Sequence, residues 1–153
     1  MTMMIDIRCA GCQHMEITGR AEDTRNNAHL NQPRGRCFCR HPEAIEAFQV
    51  VCPQSRRMAG FIAFTRGGTN IPDVKTAPRW CPLKLCRTPH QVDKATASQI
   101  ITTFKPRGMF YLRSETGYTG IDNRSGDAWC ETFRNKAACL KWLTSYDEAE
   151  DAL

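Results

Sequence analysis

The stretch Cys9-Ala-Gly-Cys12 decides the fold of the first half of the chain, because it presents two thiols separated by two residues. Zinc proteins use this CxxC spacing to supply a pair of ligands from a single tight turn. Two thiols of the same kind follow later, Cys39 and the Cys81 of a Trp-Cys-Pro sequence. Four thiolates complete a tetrahedral site, and so we expect Cys9, Cys12, Cys39 and Cys81 to bind one Zn²⁺ ion.

Four other soft ligands compete for the same places, and spacing alone does not exclude them. A second metal ion therefore stays open, as does the alternative that each of these side chains is a small buried core group. A site composed mainly of cysteine favours a closed structural role, because a catalytic zinc needs an open coordination position. The alternate ligands are Cys37, His41, Cys52 and Cys86.

Cysteine–histidine catalysis is a weaker interpretation of the same residues. Cys39 with His41, or Cys81 with His90, contains the side chains of a nucleophile and a base, but no flanking catalytic motif accompanies either pair. Metal ligation explains these residues better. We therefore predict a protein without catalytic residues that is not an enzyme.

Composition is typical of a globular protein from a reducing compartment. The 153 residues are 41% hydrophobic and 24% charged, and no apolar run is long enough to cross a membrane. The first eight residues lack the basic and apolar regions of an export signal. Disulfides are uncommon without export, and nine cysteines cannot all pair, so metal ligation and a cytoplasmic location are expected.

Charge divides the chain into two predicted modules. Residues 1–88 hold 13 Lys and Arg against 7 Asp and Glu, whereas residues 89–153 hold 8 against 9. We predict an α+β protein composed of a cysteine-rich, zinc-stapled module at 1–88, a connector at 89–106, and a small β-β-β-α module with an acidic tail at 107–153.

The N-terminal module has few clear secondary-structure patterns. Proline and glycine mark its breaks, while one helix and one strand stand out by periodicity and by β-rich composition. The predicted elements are a short strand at 5–9, a long loop at 18–36, a helix from Pro42 with Ile45, Phe48 and Cys52 on one face, a strand at 59–65, and an extended segment at 70–90.

Alternation and turn residues define the C-terminal module more sharply. Three strands are predicted at 109–113, 118–122 and 127–133, with a tight turn at 123–126. A helix follows, capped by Asn135. Its predicted packing face is Cys139, Trp142, Leu143 and Tyr146, and most aromatic side chains of this module are expected in the core, with Tyr111 and Tyr118 as exceptions.

Arginine dominates the basic residues of the first half. Guanidinium groups suit phosphate and carboxylate partners, although a solvated basic face explains the same composition. The chain lacks an interleaved set of basic and aromatic residues of the kind that tracks single strands, which favours a protein partner over a single-stranded nucleic acid. The candidate partner-binding residues are Arg34, Arg36, Arg56 and Arg57.

Two parts of the chain resemble known small proteins. The run from Cys9-x-x-Cys12 through Cys39-x-His41-Pro42 to Lys75-Thr-Ala-Pro-Arg-Trp-Cys-Pro82 resembles small cysteine-rich accessory proteins of bacteriophages and bacterial mobile elements. The stretch Gly120-Ile-Asp-Asn-Arg-Ser-Gly-Asp-Ala-Trp129 is similar to a second module from such elements. The resemblance implies a bacterial host cell and a protein that binds host machinery, including defence systems.

These observations predict a non-enzymatic, zinc-binding accessory protein of phage type. The expected partner is a host protein or ribonucleoprotein complex, and the resemblance implies inhibition of a defence system such as a CRISPR effector. The alternative is a zinc-ribbon-like nucleic-acid-binding protein or a small transcriptional regulator. No membrane partner is expected.

Overall fold

A computed structural model describes residues 6–21 and 34–145, without the side chains of residues 20 and 21. Helices and strands are both present, which confirms the predicted α+β class. In chain order the elements are β1 (Met15–Ala21), β2 (Arg34–Cys39), α1 (Ala44–Val51), β3 (Phe61–Phe64), α2 (Pro82–Leu85), β4 (His90–Gln91), α3 (Lys94–Thr103), β5 (Met109–Ser114), β6 (Gly117–Asp122), β7 (Trp129–Phe133) and α4 (Lys136–Thr144).

The N-terminal sheet is antiparallel, with the strand order β1-β2-β3. The prediction of a loop at 18–36 was wrong where β1 and β2 lie. Residues 22–33 of that predicted loop lie outside the described residues. The composition of β2, rich in arginine and glycine, concealed an alternation in which Gly35 and Cys37 are buried while Arg34 and Arg36 are exposed. The described part of the predicted strand at 5–9 is a loop and a turn instead.

Helix α1 and strand β3 lie where the sequence predicted them, but the buried face of the helix differs. The structure buries Ala44, Ala47, Phe48 and Val50, whereas Ile45 is 55% exposed. The prediction that Ile45 shares the buried face was therefore wrong. Small alanine side chains occupy the buried face, because α1 packs close to its neighbours on two sides.

The segment that follows β3 is mostly irregular, as predicted. It also contains the short helix α2, which the sequence analysis missed. Pro82 occupies the start of this helix, where a missing N–H is tolerated. The predicted turn at Gly67 and Gly68 is present.

The C-terminal sheet has the order β4-β5-β6-β7. Its three long strands are antiparallel and confirm the predicted meander, while the unpredicted strand β4 runs parallel to β5. Helix α3 occupies most of the predicted connector and is capped by Asp93, whose carboxylate accepts the Thr96 N–H at 2.7 Å. Helix α4 begins at its predicted cap Asn135 and buries Cys139 and Leu143, whereas Tyr146 lies outside the described residues.

Two buried clusters cover the two faces of the C-terminal sheet. Met109 and Tyr111 of β5 pack with α4 on one face, and Phe110 of the same strand packs on the other. Tyr111 is thus buried, whereas Trp129 of β7 is 68% exposed. Both findings correct the predicted aromatic core.

One of these clusters crosses the predicted module boundary. Ala47 and Val50 of α1 share it with Leu85 of α2 and with Phe110 and Ile121 of the C-terminal sheet. A hydrogen bond from the Arg107 N–H to the Glu43 carboxylate, at 3.2 Å, also joins the two halves. A separate cluster, built on Cys37, Phe48, Ile62 and Trp80, fills the N-terminal half.

Candidate metal centre

The first two predicted ligands lie in a tight turn that precedes β1. The Cys12 N–H donates to the Cys9 carbonyl at 3.0 Å, and the Met15 N–H donates to the Cys12 carbonyl at 3.1 Å. Gly11 has a φ of 77°, a conformation that glycine adopts without steric cost. The turn buries Cys9 and leaves Cys12 partly exposed.

The pairing of β1 with β2 places the third thiol, that of Cys39, beside this turn. In the register of β1 and β2, Met15 lies opposite Cys39. The Arg40 N–H donates to the His14 carbonyl at 2.7 Å, and the Cys39 N–H donates to the Gly60 carbonyl at 2.9 Å. The end of β2 is therefore held between the cysteine turn and the start of β3.

The fourth thiol, that of Cys81, belongs to the proline-rich segment at 70–90. The Ala77 N–H donates to the Ile7 carbonyl at 2.8 Å, which ties this segment to the residues that precede Cys9. Trp80 packs edge-to-face on Phe48 of α1, with ring centroids 5.5 Å apart. Cys81 is buried directly after this anchor and forms the N-terminal boundary of α2.

All four predicted ligands line one cavity of about 20 Å³. That volume is close to the space of a single water molecule, and so it suits an ion rather than an organic substrate. The remaining lining is mostly apolar and comes from Ile7, Arg8, Met15, Ile62, Ala77, Pro78 and Trp80.

Electrostatics at the cavity reflect the crowding of thiols. Burial, followed by the neighbouring thiols of Cys81, Cys39 and Cys12, raises the pKa of Cys9 to about 12, while Lys84 opposes this rise. Burial likewise raises the pKa of Cys39, against a hydrogen bond from the His41 backbone. Burial and the neighbouring thiols therefore disfavour the thiolates of Cys9 and Cys39, which is the situation that a bound dication reverses.

The donor set matches zinc in its chemistry, since four cysteine thiolates form one of the usual structural zinc sites. Within the described residues, however, no set of three or more Cys, His, Asp or Glu side chains stands ready-made as a metal site. Coordination would require the four sulfurs to turn toward one another. Rotation about the Cα–Cβ bond of a cysteine moves its sulfur between staggered positions without moving the backbone.

The alternate ligands lie away from the cavity lining. Cys37 is buried in β2, on the strand face that contributes to the N-terminal core. The Nδ1 atom of His41 accepts the Glu43 N–H at 3.1 Å, and its ring stacks edge-on against His14 at 4.7 Å. Cys52 ends α1 and Cys86 ends α2.

The four predicted partner-binding arginines are all exposed, but they occupy two separate places. Arg34 and Arg36 lie on β2, two residues apart and therefore on one face of the strand. Arg56 and Arg57 lie in the loop between α1 and β3.

One residue near the cavity went unnoticed in the sequence. The ammonium group of Lys84 donates to the Ala77 carbonyl and lies close enough to the thiols to lower the pKa of Cys9. Its position one turn after Cys81 in a short helix is the only signal that could have indicated it.

Comparison of the chain with protein-family models, curated proteins and solved structures found no match. Among the described residues, no helix is both long enough and apolar enough to cross a membrane.

Proposed function

We propose that this chain is a non-enzymatic accessory protein of phage or mobile-element type, stapled by one structural Zn²⁺ ion and acting by binding a host complex. One observation carries the proposal: four cysteines from three separate segments line a single cavity of ion size. In this proposal the ligands are Cys9, Cys12, Cys39 and Cys81.

The structural rather than catalytic role of the metal follows from the donor set and the cavity. Four thiolates fill a tetrahedral ion and leave no position for a substrate or an activated water. The cavity, at about 20 Å³, is also too small for a substrate. Zn²⁺ bound there would favour ionised thiols and join the cysteine turn, β2 and the proline-rich segment.

The partner in this proposal is a host protein or ribonucleoprotein complex in the bacterial cytoplasm, with inhibition of a defence effector such as a CRISPR complex as the outcome. What supports this part is the resemblance of the Cys9–Pro82 region to small phage accessory proteins, together with exposed arginines on β2. Such a protein acts through its surface and needs no catalytic group.

Metal analysis of the purified protein tests the staple. We expect about one zinc per chain, bound with the affinity of a structural site. Cys81→Ser should lose the metal, whereas the control Cys86→Ser should retain it, because Cys86 lies outside the cavity. A protein purified without zinc that also takes up none on titration would overturn the metal assignment.

Phage plaquing tests the binding role. The chain is expressed in a bacterium whose CRISPR effector targets the infecting phage, and the efficiency of plaquing is compared with that of an empty vector. We expect plaquing to rise with the wild-type chain and to fall back with Cys81→Ser. Unchanged plaquing across a panel of defined effector types would contradict inhibition of such effectors.

A further inference from the structure

The face of the N-terminal sheet that points away from its core combines arginine and phenylalanine side chains. Directly opposite residues of an antiparallel pair share a face, and Arg36 lies opposite Phe64 while Phe38 lies opposite Phe61. None of these side chains belongs to the buried cluster of the N-terminal half, which lies on the other side with Cys37 and Ile62.

A β-bulge creates this arrangement. Phe61 and Phe64 are three residues apart, so a regular strand would point them to opposite faces. The register between β2 and β3 shifts between Cys37 and Phe38, which leaves Ile62 as the additional residue of β3. Both phenylalanines therefore lie on one face, with ring centroids 5.3 Å apart.

The three aromatic side chains of this face contact one another and differ in their exposure to solvent. Phe38 is buried beneath the others: its ring contacts Phe61 at 5.6 Å, and the Arg40 guanidinium lies 5.5 Å from its centroid. Phe61 is partly exposed and Phe64 is 48% exposed. A buried ring thus lies against a partly exposed ring, which in turn contacts the exposed ring of Phe64.

Among the residues that the structure describes, the charge on this face is positive and only partly paired. Arg40 pairs with Glu16 on β1. Arg34 and Arg36 form no ion pair with any described residue, and both are exposed. Their Cα atoms are about 7 Å apart along the strand, a spacing that suits neighbouring anionic groups on an extended chain. We call Arg34, Arg36, Arg40, Phe38, Phe61 and Phe64 the basic–aromatic face.

We propose that the basic–aromatic face binds single-stranded nucleic acid, with a base stacked on Phe64 and phosphates held by Arg34 and Arg36. This inference rests on the proposed binding role and gives its partner a chemistry, namely an exposed single strand of the kind that a ribonucleoprotein complex displays. Protein surfaces that bind single strands combine aromatic platforms with a positive backbone track in this way.

The chemistry of the face selects a single strand over two other anionic partners. Bases in a duplex are already stacked on one another, so they cannot cover an exposed phenylalanine ring without being flipped out. An acidic peptide would satisfy the arginines, but aspartate and glutamate side chains offer no aromatic ring to stack on the phenylalanines. A single strand supplies both phosphates and free base faces.

Fluorescence anisotropy with short labelled oligothymidylate and oligouridylate tests the proposal, and the two probes distinguish DNA from RNA. We expect saturable binding that weakens as salt rises, with a blunt-ended duplex bound more weakly. Phe64→Ala should lower affinity about tenfold through lost stacking, and Phe64→Leu should do the same although it keeps an apolar side chain. Arg36→Ala should reduce the salt slope by about 0.7, whereas Arg36→Lys should retain it.

Matched controls come from the other sheet, where Trp129 and Arg113 are exposed. Trp129→Ala and Arg113→Ala should leave affinity unchanged. Absence of binding by the folded wild-type protein, equal loss in the controls, or competition by polyglutamate as strong as by the oligonucleotide would overturn the proposal. Zinc content is measured on the same samples: zinc-loaded protein that binds no strand refutes this inference alone, and protein that binds the strand but neither contains zinc nor takes it up on titration refutes the staple alone.

Discussion

At the scale of single residues, Asn123 shows how one buried polar side chain organises a loop. It is fully buried, its amide N–H donates to the Pro106 carbonyl at 2.9 Å, and its amide oxygen accepts the Ala128 N–H at 3.1 Å. Asn123 opens the tight turn predicted at 123–126, in which Gly126 has a positive φ, as does Ala128 just after it. Asn123 itself has no positive φ and serves as a bridge between the two segments.

Replacing this bridge should destabilise the protein. Asn123→Ala leaves two buried backbone groups without their partners, and we expect the free energy of unfolding to fall by roughly 2–4 kcal/mol. Urea denaturation measures this change. The control is Asp127→Ala in the same loop, whose carboxylate accepts a surface hydrogen bond from Ser125 and whose loss should change stability by less than about 0.5 kcal/mol. Equal effects of the two changes would contradict the bridging role.

At the scale of elements, the sequence predicted best those helices and strands that carry one clear sequence signal. Strands β5, β6 and β7 are rich in aromatic and β-branched residues and are bounded by turn residues, and α4 has an asparagine cap, so these elements were predicted correctly. Strand β2 was missed because its arginines face solvent on a half-exposed sheet, and its arginine- and glycine-rich composition is that of a loop. Helix α3 lies in the segment predicted only as a connector, since its threonines are poor helix formers, and its cap Asp93 was not recognised.

That cap makes α3 sensitive to acid. The hydrogen bond from the Thr96 backbone N–H, followed by one from its side chain, lowers the pKa of Asp93 below its ordinary value. A lowered folded pKa stabilises the protein above the unfolded pKa of about 3.9, and this stabilisation is lost as pH falls through the folded pKa. Asp93→Asn keeps a capping oxygen that does not titrate.

Comparison of these two proteins isolates the cap from the other carboxylates. We expect the wild type to lose stability relative to Asp93→Asn as pH falls through the lowered pKa of Asp93, with the difference constant at neutral pH. Urea midpoints over a pH series measure the difference. A pH-independent difference would mean that the carboxylate does not stabilise α3 through its charge.

At the scale of the whole molecule, the candidate site and the fold were predictable to different degrees. The four thiols predicted as ligands all line one cavity of the fold. A short spacing such as that of Cys9 and Cys12 is local, so it does not depend on the structure of the loops between distant cysteines. The basic–aromatic face was predictable only in part: Arg34, Arg36, Phe38 and Arg40 alternate within one stretch of sequence, whereas Phe61 and Phe64 join them only through strand pairing and a bulge. The cluster that joins α1 to the C-terminal sheet was hidden for the same reason.

This joint cluster predicts that the two halves lose stability together. Ile121→Val removes one buried methyl group and should lower the free energy of unfolding by about 1 kcal/mol. We expect hydrogen exchange of the most protected amides to accelerate equally in β2 and in β6. The control Ile101→Val, at an exposed position of α3, should change neither strand. Acceleration confined to β6 would show that the halves unfold as independent modules.

The joint cluster also constrains how the chain can change by inheritance. Crossovers between related genes often exchange whole segments, and the stretch before α3 looks like a natural place to join two of them. A chain spliced there would inherit Ala47 and Val50 from one parent and Phe110 and Ile121 from the other. Side chains selected for close packing with different neighbours leave cavities or clash. We therefore expect the two halves to be inherited as a unit, and changes at Val50 to be accompanied by changes at Phe110 or Ile121.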